Sequence, residues 1–327
     1  MLNFCTLFDI NYLSRGLTMY DSLLQQGTRF HLFVFAFDNQ VLDILRNLKL
    51  AHITVISLAE FEDPELLAIK PTRGRGEYCW TCTPSTILYI LHQFSVDHCT
   101  YIDADLYFYS DPSILLDEME DKSVLITAHR FSPEYADAAI NGKYCVQFMT
   151  FKNTEAGLKV LQWWRNACLD WCYNRLEDGK FGDQKYLDDW TSRFENVHEL
   201  KHLGGGVAPW NVQQYRLSVQ KGKLYGREEV TGNVFPLVFY HFHGLRFLIH
   251  DKVDLGEYNL PKPVEQLIYR PYLRHLDTWA IQLQQKYISI RPYEEAIVPQ
   301  TLSYKLKNIR RKVEGHYNIY NKIDFLN

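Results

Sequence analysis

Two aspartates separated by one small residue, Asp103-Ala104-Asp105, stand where an apolar stretch ending in Tyr101-Ile102 gives out. Alternate residues of an extended chain share a face, so this spacing predicts that both carboxylates point the same way. Two like charges that close repel, and a hard divalent cation with oxygen ligands relieves the repulsion. Such a cation keeps positions open for water or phosphate oxygens, which outlines a metal–diphosphate site. Ala104 is small enough for the chain to pass close to a ligand. Asp-x-Asp also arises by chance in solvated turns. The apolar strand before it and the aromatic run Leu106 to Tyr109 after it favour a site, because open α/β sheets bind ligands at the carboxyl ends of their strands.

A cation held by two acids has room for another protein ligand. The apolar run Val234 to Phe242 ends in His241-Phe242-His243-Gly244, and either imidazole can ligate a metal through a neutral ring nitrogen. The segment Asp9 to Arg15 follows a first apolar strand. There Asp9, Asn11 and Tyr12 lie on the expected ligand edge, and Tyr12 could stack on a base; a loop with a capping Asp fits equally well. Asp183-Gln184 follows Gly182 and could cap a helix or serve the site. Arg73 and Arg75, flanked by glycines, could meet phosphates or could belong to a solvated loop. The glycines of Leu203 to Asn211 would let backbone amides approach a ligand, but the spacing and lysine of a phosphate-binding P-loop are missing.

These residues need a scaffold, and the chain supplies one. Strands are expected over Leu2 to Phe8, Phe30 to Phe37 and Ile53 to Leu58, with helices over Ser14 to Gln26 and Val41 to Leu50 between them. That alternation predicts a parallel sheet with covering helices. A helix opening at Thr83-Pro84, strands over Ser123 to Thr127 and Tyr144 to Phe151, and an aromatic helix over Gly157 to Tyr173 continue the pattern. At 327 residues with 46% apolar content the chain can build one large α/β domain with an elaborated tail. Residues 1–257 read as the catalytic domain and 258–327 as a helical extension, broken by Pro261, Pro263, Pro271, Pro292 and Pro299. Lys305 to Lys312 holds five basic residues in eight and could rest on an anionic membrane surface or face water.

Composition narrows the function classes. A net charge of −4 gives no domain-wide basic excess, which argues against nucleic acid as a partner. Seven scattered cysteines suit reduced, buried thiols of a cytoplasmic protein better than a disulfide framework. Cys79-Trp80-Thr81-Cys82 has redox or half-zinc-site spacing with no second such pair. No signal peptide or spanning segment is read from the sequence.

Taken together, the Asp9 to Tyr12 region, Tyr101 to Asp105, Gly182-Asp183-Gln184 and His241 to Gly244 resemble, in this order, the GT-A-fold, DxD-type glycosyltransferases of family 8, which include glycogenin and bacterial lipopolysaccharide galactosyltransferases. The resemblance spans roughly residues 2 to 250. It implies a GT-A (Rossmann-like) mixed, mainly parallel sheet with flanking helices. It also implies a retaining transfer of sugar from a nucleotide sugar, expected to be UDP-linked, to a glycan, lipid-linked or small-molecule acceptor. Asp103, Asp105 and His241 would hold Mn²⁺ or Mg²⁺ against the donor diphosphate. Asp9, Asn11 and Tyr12 would hold the nucleotide, and Asp183 and Gln184 would lie beside the anomeric carbon. The chain departs from the family's HxxGxxKPW ending: Gly244 is followed by Leu245-Arg246-Phe247, where Arg246 takes the place of the phosphate-binding lysine. The family's Asn-x-Gly reads Cys145-Val146-Gln147. Two alternatives remain, a haloacid-dehalogenase-like phosphatase, which also uses Asp-x-Asp, and a non-catalytic carbohydrate-binding protein.

Overall fold

The computed structural model describes residues 1–288, 291, 293–297 and 301–326, so Pro292 and Pro299 lie outside the described residues. The expected β-α-β-α-β opening is present: β1 (Leu2–Phe8), the Leu13–Leu24 helix, β2 (Phe30–Ala36), the Asn39–Leu48 helix and β3 (Ile53–Ser57). Then β4 (His98–Ile102) and β5 (Leu106–Phe108) flank the acidic triplet, followed by β6 (Val124–Ala128), β7 (Tyr144–Lys152) and β8 (Val197–Glu199). The seven-stranded main sheet runs β3-β2-β1-β4-β7-β6-β8. Its first four strands are parallel, β7 is antiparallel to β4 and β6, and β8 is parallel to β6. The mixed, mainly parallel sheet expected from the sequence is therefore the one observed.

Strand order reverses beside β1, with β2 and β3 added on one side and β4 on the other. The carboxyl ends of β1 and β4 thus border the crevice where such sheets bind ligands. Both sheet faces are covered, which is why the inner strands read as continuous apolar runs. Cys5, Leu7, Phe33 and Phe35 pack with Ile87 and Ile90 of the Arg75–Gln93 helix on one face. Phe4, Phe8, Leu32 and Val34 pack with Leu17 and Val41 on the other. Each such side chain contributes on the order of 1.5–3 kcal/mol through burial.

Two elements differ from expectation. The helix expected to open at Thr83 opens at Arg75 and carries Pro84 in its interior. Gly74 starts it, with its N–H donating to the Glu77 carboxylate at 2.7 Å. The run Val234 to Phe242 is two strands. After β9 (Tyr215–Gln220) and β10 (Lys223–Glu228), β11 (Val234–Pro236) joins β10, while β12 (Phe239–His241) crosses to pair with β5. Pro236 has no N–H to continue a ladder, and it sits where the chain changes partner.

The C-terminal region is built into a second small sheet of order β15-β13-β14-β16, formed by β13 (Arg246–Leu248), β14 (Lys252–Asp254), β15 (Glu295–Ala296) and β16 (Ile319–Asn321). The Arg270–Lys286 helix lies on the first helix, with Trp279 Nε1 and His275 Nε2 reaching Asp21 Oδ2 at 2.7 and 3.1 Å. The Leu302–Val313 helix is pinned by Arg311, whose amino groups donate to Asp254 at 2.8 and 3.1 Å and to the Gly256 carbonyl at 2.8 Å. No helix among the described residues is long and apolar enough to cross a membrane.

The Arg311 and Asp254 side chains are 5% and 0% exposed, so removing Asp254 leaves the Arg311 guanidinium a buried charge without its carboxylate. Asp254→Ala is expected to destabilise the protein by about 3–5 kcal/mol in urea unfolding. A loss below about 1 kcal/mol, the range of exposed pairs, would show that the pair is not buried in solution.

Candidate functional site

The acidic triplet does not sit in a continuous strand. Asp103 leaves β4 and Ala104-Asp105 form a turn closed by Leu106 N–H donating to the Asp103 carbonyl at 3.2 Å. The two carboxylates therefore meet across a turn and not by strand alternation, which corrects the geometric reason given above while keeping the pairing. The β5–β12 ladder sets His241 opposite Leu106, and Phe242 N–H donates to the Asp105 carbonyl at 3.0 Å. That register brings His241 Nε2 to 3.2 Å from Asp105 Oδ1 and 3.7 Å from Asp103 Oδ2. One ligand atom from each of the three residues lies within 4.8 Å of the others. Cis ligands on an octahedral cation with bonds of about 2.1 Å are about 3 Å apart, so the set fits a hard divalent metal.

The other ring nitrogen fixes the histidine. His241 Nδ1 donates to Gln147 Oε1 at 2.7 Å, which leaves Nε2 turned toward the carboxylates. Gln147 is fully buried on β7, and its carbonyl accepts from Asp103 N–H at 3.1 Å. His243, exposed at the surface, packs its ring against Trp210, 5.3 Å between centroids, and its surroundings and the neighbouring His241 lower it from its usual range. Of the two histidines, the structure brings His241 to the acids.

Electrostatically the three groups behave as one unit. Burial opposes a charged imidazole, but Asp105 above all, with Asp103 behind it, holds His241 well above its usual range. Burial and the neighbouring Asp105 raise Asp103 despite the opposing pull of His241, whereas His241 outweighs burial to lower Asp105. Nearby, burial and then Asp103 push Asp183 up to about 8. Its carbonyl accepts from Trp164 Nε1 at 2.9 Å, which seats this residue against the aromatic helix. Gln184 Nε2 donates to the Asn141 carbonyl at 3.0 Å, tying it to the Pro133–Asn141 helical turn.

At the end of β1, Asp9 pairs with Arg75, and Asn11 Oδ1, with its amide oriented to satisfy both partners, accepts from Arg75 at 2.7 and 2.8 Å. Tyr12, 41% exposed, carries the Arg15 guanidinium 4.4 Å over its ring. Arg15 is buried, donates to the Leu245 carbonyl at 2.9 Å, and is one of the charges that lower Asp105. Sequence reading did not assign Arg15 a role; its signal was a cation among apolar helix positions on the ligand edge. Arg246 instead faces Asp254 at 3.2 Å and Glu257 at 3.7 Å. Gly244 holds a left-handed backbone, φ +77°, at the turn before it, and Ala104 is buried in the acidic turn.

Other expected contributors have structural work. Arg73 donates to the carbonyls of Leu169 and Asp170 at the end of the aromatic helix. Arg130 donates to the carbonyls of His202 and Gly205. The three-glycine loop packs against β12: Gly204 accepts from Val238 and Phe239 N–H, and a Cβ there would overlap the Pro236 carbonyl oxygen. All seven cysteines are free, and burial pushes the Cys79 thiol up to about 12, far from a reactive thiolate.

Two outcomes follow. A cation entering this cluster displaces the His241 proton, so Mn²⁺ binding should release roughly one proton and tighten with pH. Titration calorimetry in buffers of different ionisation heat reads this directly, and proton-independent binding would contradict the His241 assignment. Asp183 holds its proton more tightly folded, at about 8, than unfolded, at about 3.9. Its contribution to stability is complete below the lower value and is lost as pH rises to the upper one. Metal-free Asp183→Asn should therefore gain melting temperature relative to the parent protein between those limits. A difference that does not change with pH would refute the shift.

No protein-family model matches the chain. The solved structure of galactosyltransferase LgtC, in complex with donor and acceptor sugar analogs, aligns with a TM-score of 0.52 at 11% identity, over 85% of this chain and 96% of that one. The fold is shared. In sequence, the uncharacterised Bacillus subtilis (strain 168) protein YfnD is 29% identical over 293 residues, 87% of this chain and 92% of YfnD. The uncharacterised YfnF of the same strain is 34% identical over 253 residues, 75% of this chain and 82% of YfnF. With that identity over most of both lengths, the chain belongs to the same protein family as Bacillus subtilis YfnF.

Proposed function

We propose that this protein is a metal-dependent glycosyltransferase that moves a sugar, with retained configuration, from a UDP-linked donor to a glycan, lipid-linked or small-molecule acceptor. The observation that carries the reading is the meeting of Asp103, Asp105 and His241 at the strand-order reversal, beside Asp9 to Tyr12. A fold shared with a galactosyltransferase bound to donor and acceptor sugar analogs supports the same class of ligands. The catalytic unit is residues 1–257, extended by 258–327.

Each residue has a physical task in this reading. Arg75 positions Asp9 and Asn11 to hydrogen-bond the nucleoside, and the half-open Tyr12 ring stacks on its base. Arg15 places a fixed positive charge beside the acids, where the diphosphate would lie. Asp103, Asp105 and His241 would hold Mn²⁺ or Mg²⁺, with Gln147 fixing the imidazole tautomer. When bound, that cation offsets the charge developing on the leaving diphosphate. Asp183, protonated at neutral pH, offers a hydrogen bond to a donor-sugar oxygen, and Gln184 stands beside it. Gly244 shapes the turn that brings the Leu245 carbonyl to Arg15.

Nucleotide sugars at 100 times their dissociation constant should stabilise the protein by about 2.7 kcal/mol in the presence of Mn²⁺. A thermal-shift panel with and without the metal identifies the donor. Asp103→Ala and Asp105→Ala should each lower turnover by at least about 10²–10³-fold with little change in melting temperature. Undiminished transfer by either variant, or hydrolysis of p-nitrophenyl phosphate without any nucleotide sugar, would overturn the reading.

A further inference from the structure

The Leu302–Val313 helix is amphipathic in the reverse of the usual sense. Advancing about 100° per residue, Tyr304, Asn308 and Arg311 fall on one side and Leu302, Leu306, Ile309 and Val313 on the other. The polar side faces the protein: Arg311 is 4% exposed and locked to Asp254 and the Gly256 carbonyl. The apolar side faces outward, with Leu302, Leu306, Ile309 and Val313 exposed by 72, 56, 58 and 83%. A surface helix of a globular protein turns its apolar stripe to the core. Here the buried ion pair prevents the helix from rolling over to do so. Single exposed leucines are common, but a continuous helical stripe marks a surface that meets another apolar phase.

The flanks state what that phase carries. Lys305 and Lys312 border the stripe on one side and Lys307 and Arg310 on the other, and no acidic residue lies within Leu302 to Val313. Lys307 and Arg310 are each balanced by a glutamate, Glu257 at 2.6 Å and Glu314 at 2.8 Å, while Lys305 and Lys312 are exposed. A second copy docked through this face about a two-fold axis would set basic flank against basic flank. An anionic lipid surface is complementary to both features, with apolar side chains entering the acyl boundary and long basic side chains reaching back to headgroups. We propose that this helix docks the protein onto anionic membranes, lying in the plane of the interface with its Leu302–Leu306–Ile309–Val313 stripe embedded. The inference stands independently of the catalytic reading.

Co-sedimentation of the full chain with vesicles tests it. Binding is expected to vesicles of phosphatidylglycerol mixed with phosphatidylcholine, weakly or not at all to phosphatidylcholine alone, and to fall as salt is raised. The double variant L306E/I309E should lose at least about tenfold in affinity for the anionic vesicles, and K305Q/K312Q should lose their selectivity for anionic lipid. Both variants alter exposed side chains, so their melting temperatures should match the parent protein, which separates lost docking from lost folding. No binding to anionic vesicles at low salt would overturn the proposal, as would undiminished binding by L306E/I309E. A parent dimer in sedimentation equilibrium that L306E/I309E converts to monomer would also overturn it, by giving the face to a second copy.

Discussion

The site depends on a three-residue ladder. The β5–β12 pairing is short, yet it sets the register that puts His241 across from the acidic turn. A slip of one residue would turn the imidazole to the opposite face and present Tyr240 or Phe242 instead. The surroundings oppose such a slip at several points. Phe239 stacks on Phe148 with centroids 5.3 Å apart, His241 N–H donates to the Val207 carbonyl, and Gln147 holds the ring from below. The glycine loop belongs to this same support, since its close approach to β11 and β12 is open only to residues without side chains.

The charge arrangement within the crevice is poised and uncomfortable at once. Asp103, partly exposed, gathers with the buried Asp105 and Asp183, and His241 and Arg15 are cations beside them. Gln147 Nε2 and His129 Nδ1, both buried, lack hydrogen-bond partners among the described residues. Proteins rarely keep such groups without a use, because each unpaired buried polar atom costs on the order of 1–3 kcal/mol.

The fold was legible in the sequence because its core strands are apolar on both faces and their helices are punctuated by caps and glycines. Leu2–Phe8 is read to the residue, and the next four elements to within two residues at either end. The acids and His241 were legible as chemistry, but their geometry was not: strand alternation was the wrong reason for a correct pairing, because the turn at Ala104 leaves no mark that distinguishes it from extended chain. Arg15 was hidden, and Arg75 was legible only as a loop cation without its Asp9 and Asn11 partners, for a different reason. Their importance comes from which strand ends the topology brings together, and local patterning carries no such information. Arg246 shows the converse. A position inferred from a motif's spacing has its guanidinium beside Asp254, a partner eight residues on that local patterning does not announce.

Arg311 grips the carbonyl of Gly256, and Tyr258, two residues on, leans its ring against Trp210, which in turn touches the rings of His241 and His243. The Leu302–Val313 helix is thus connected to the His241 imidazole through one hydrogen bond to the backbone and a series of ring contacts. Shortening the chain after residue 257, as its composition invites, would remove Tyr258 from that series of contacts and leave the Asp254 carboxylate with only the half-exposed Arg246 as its guanidinium. A tail that resembles an appendage is part of the pocket's masonry.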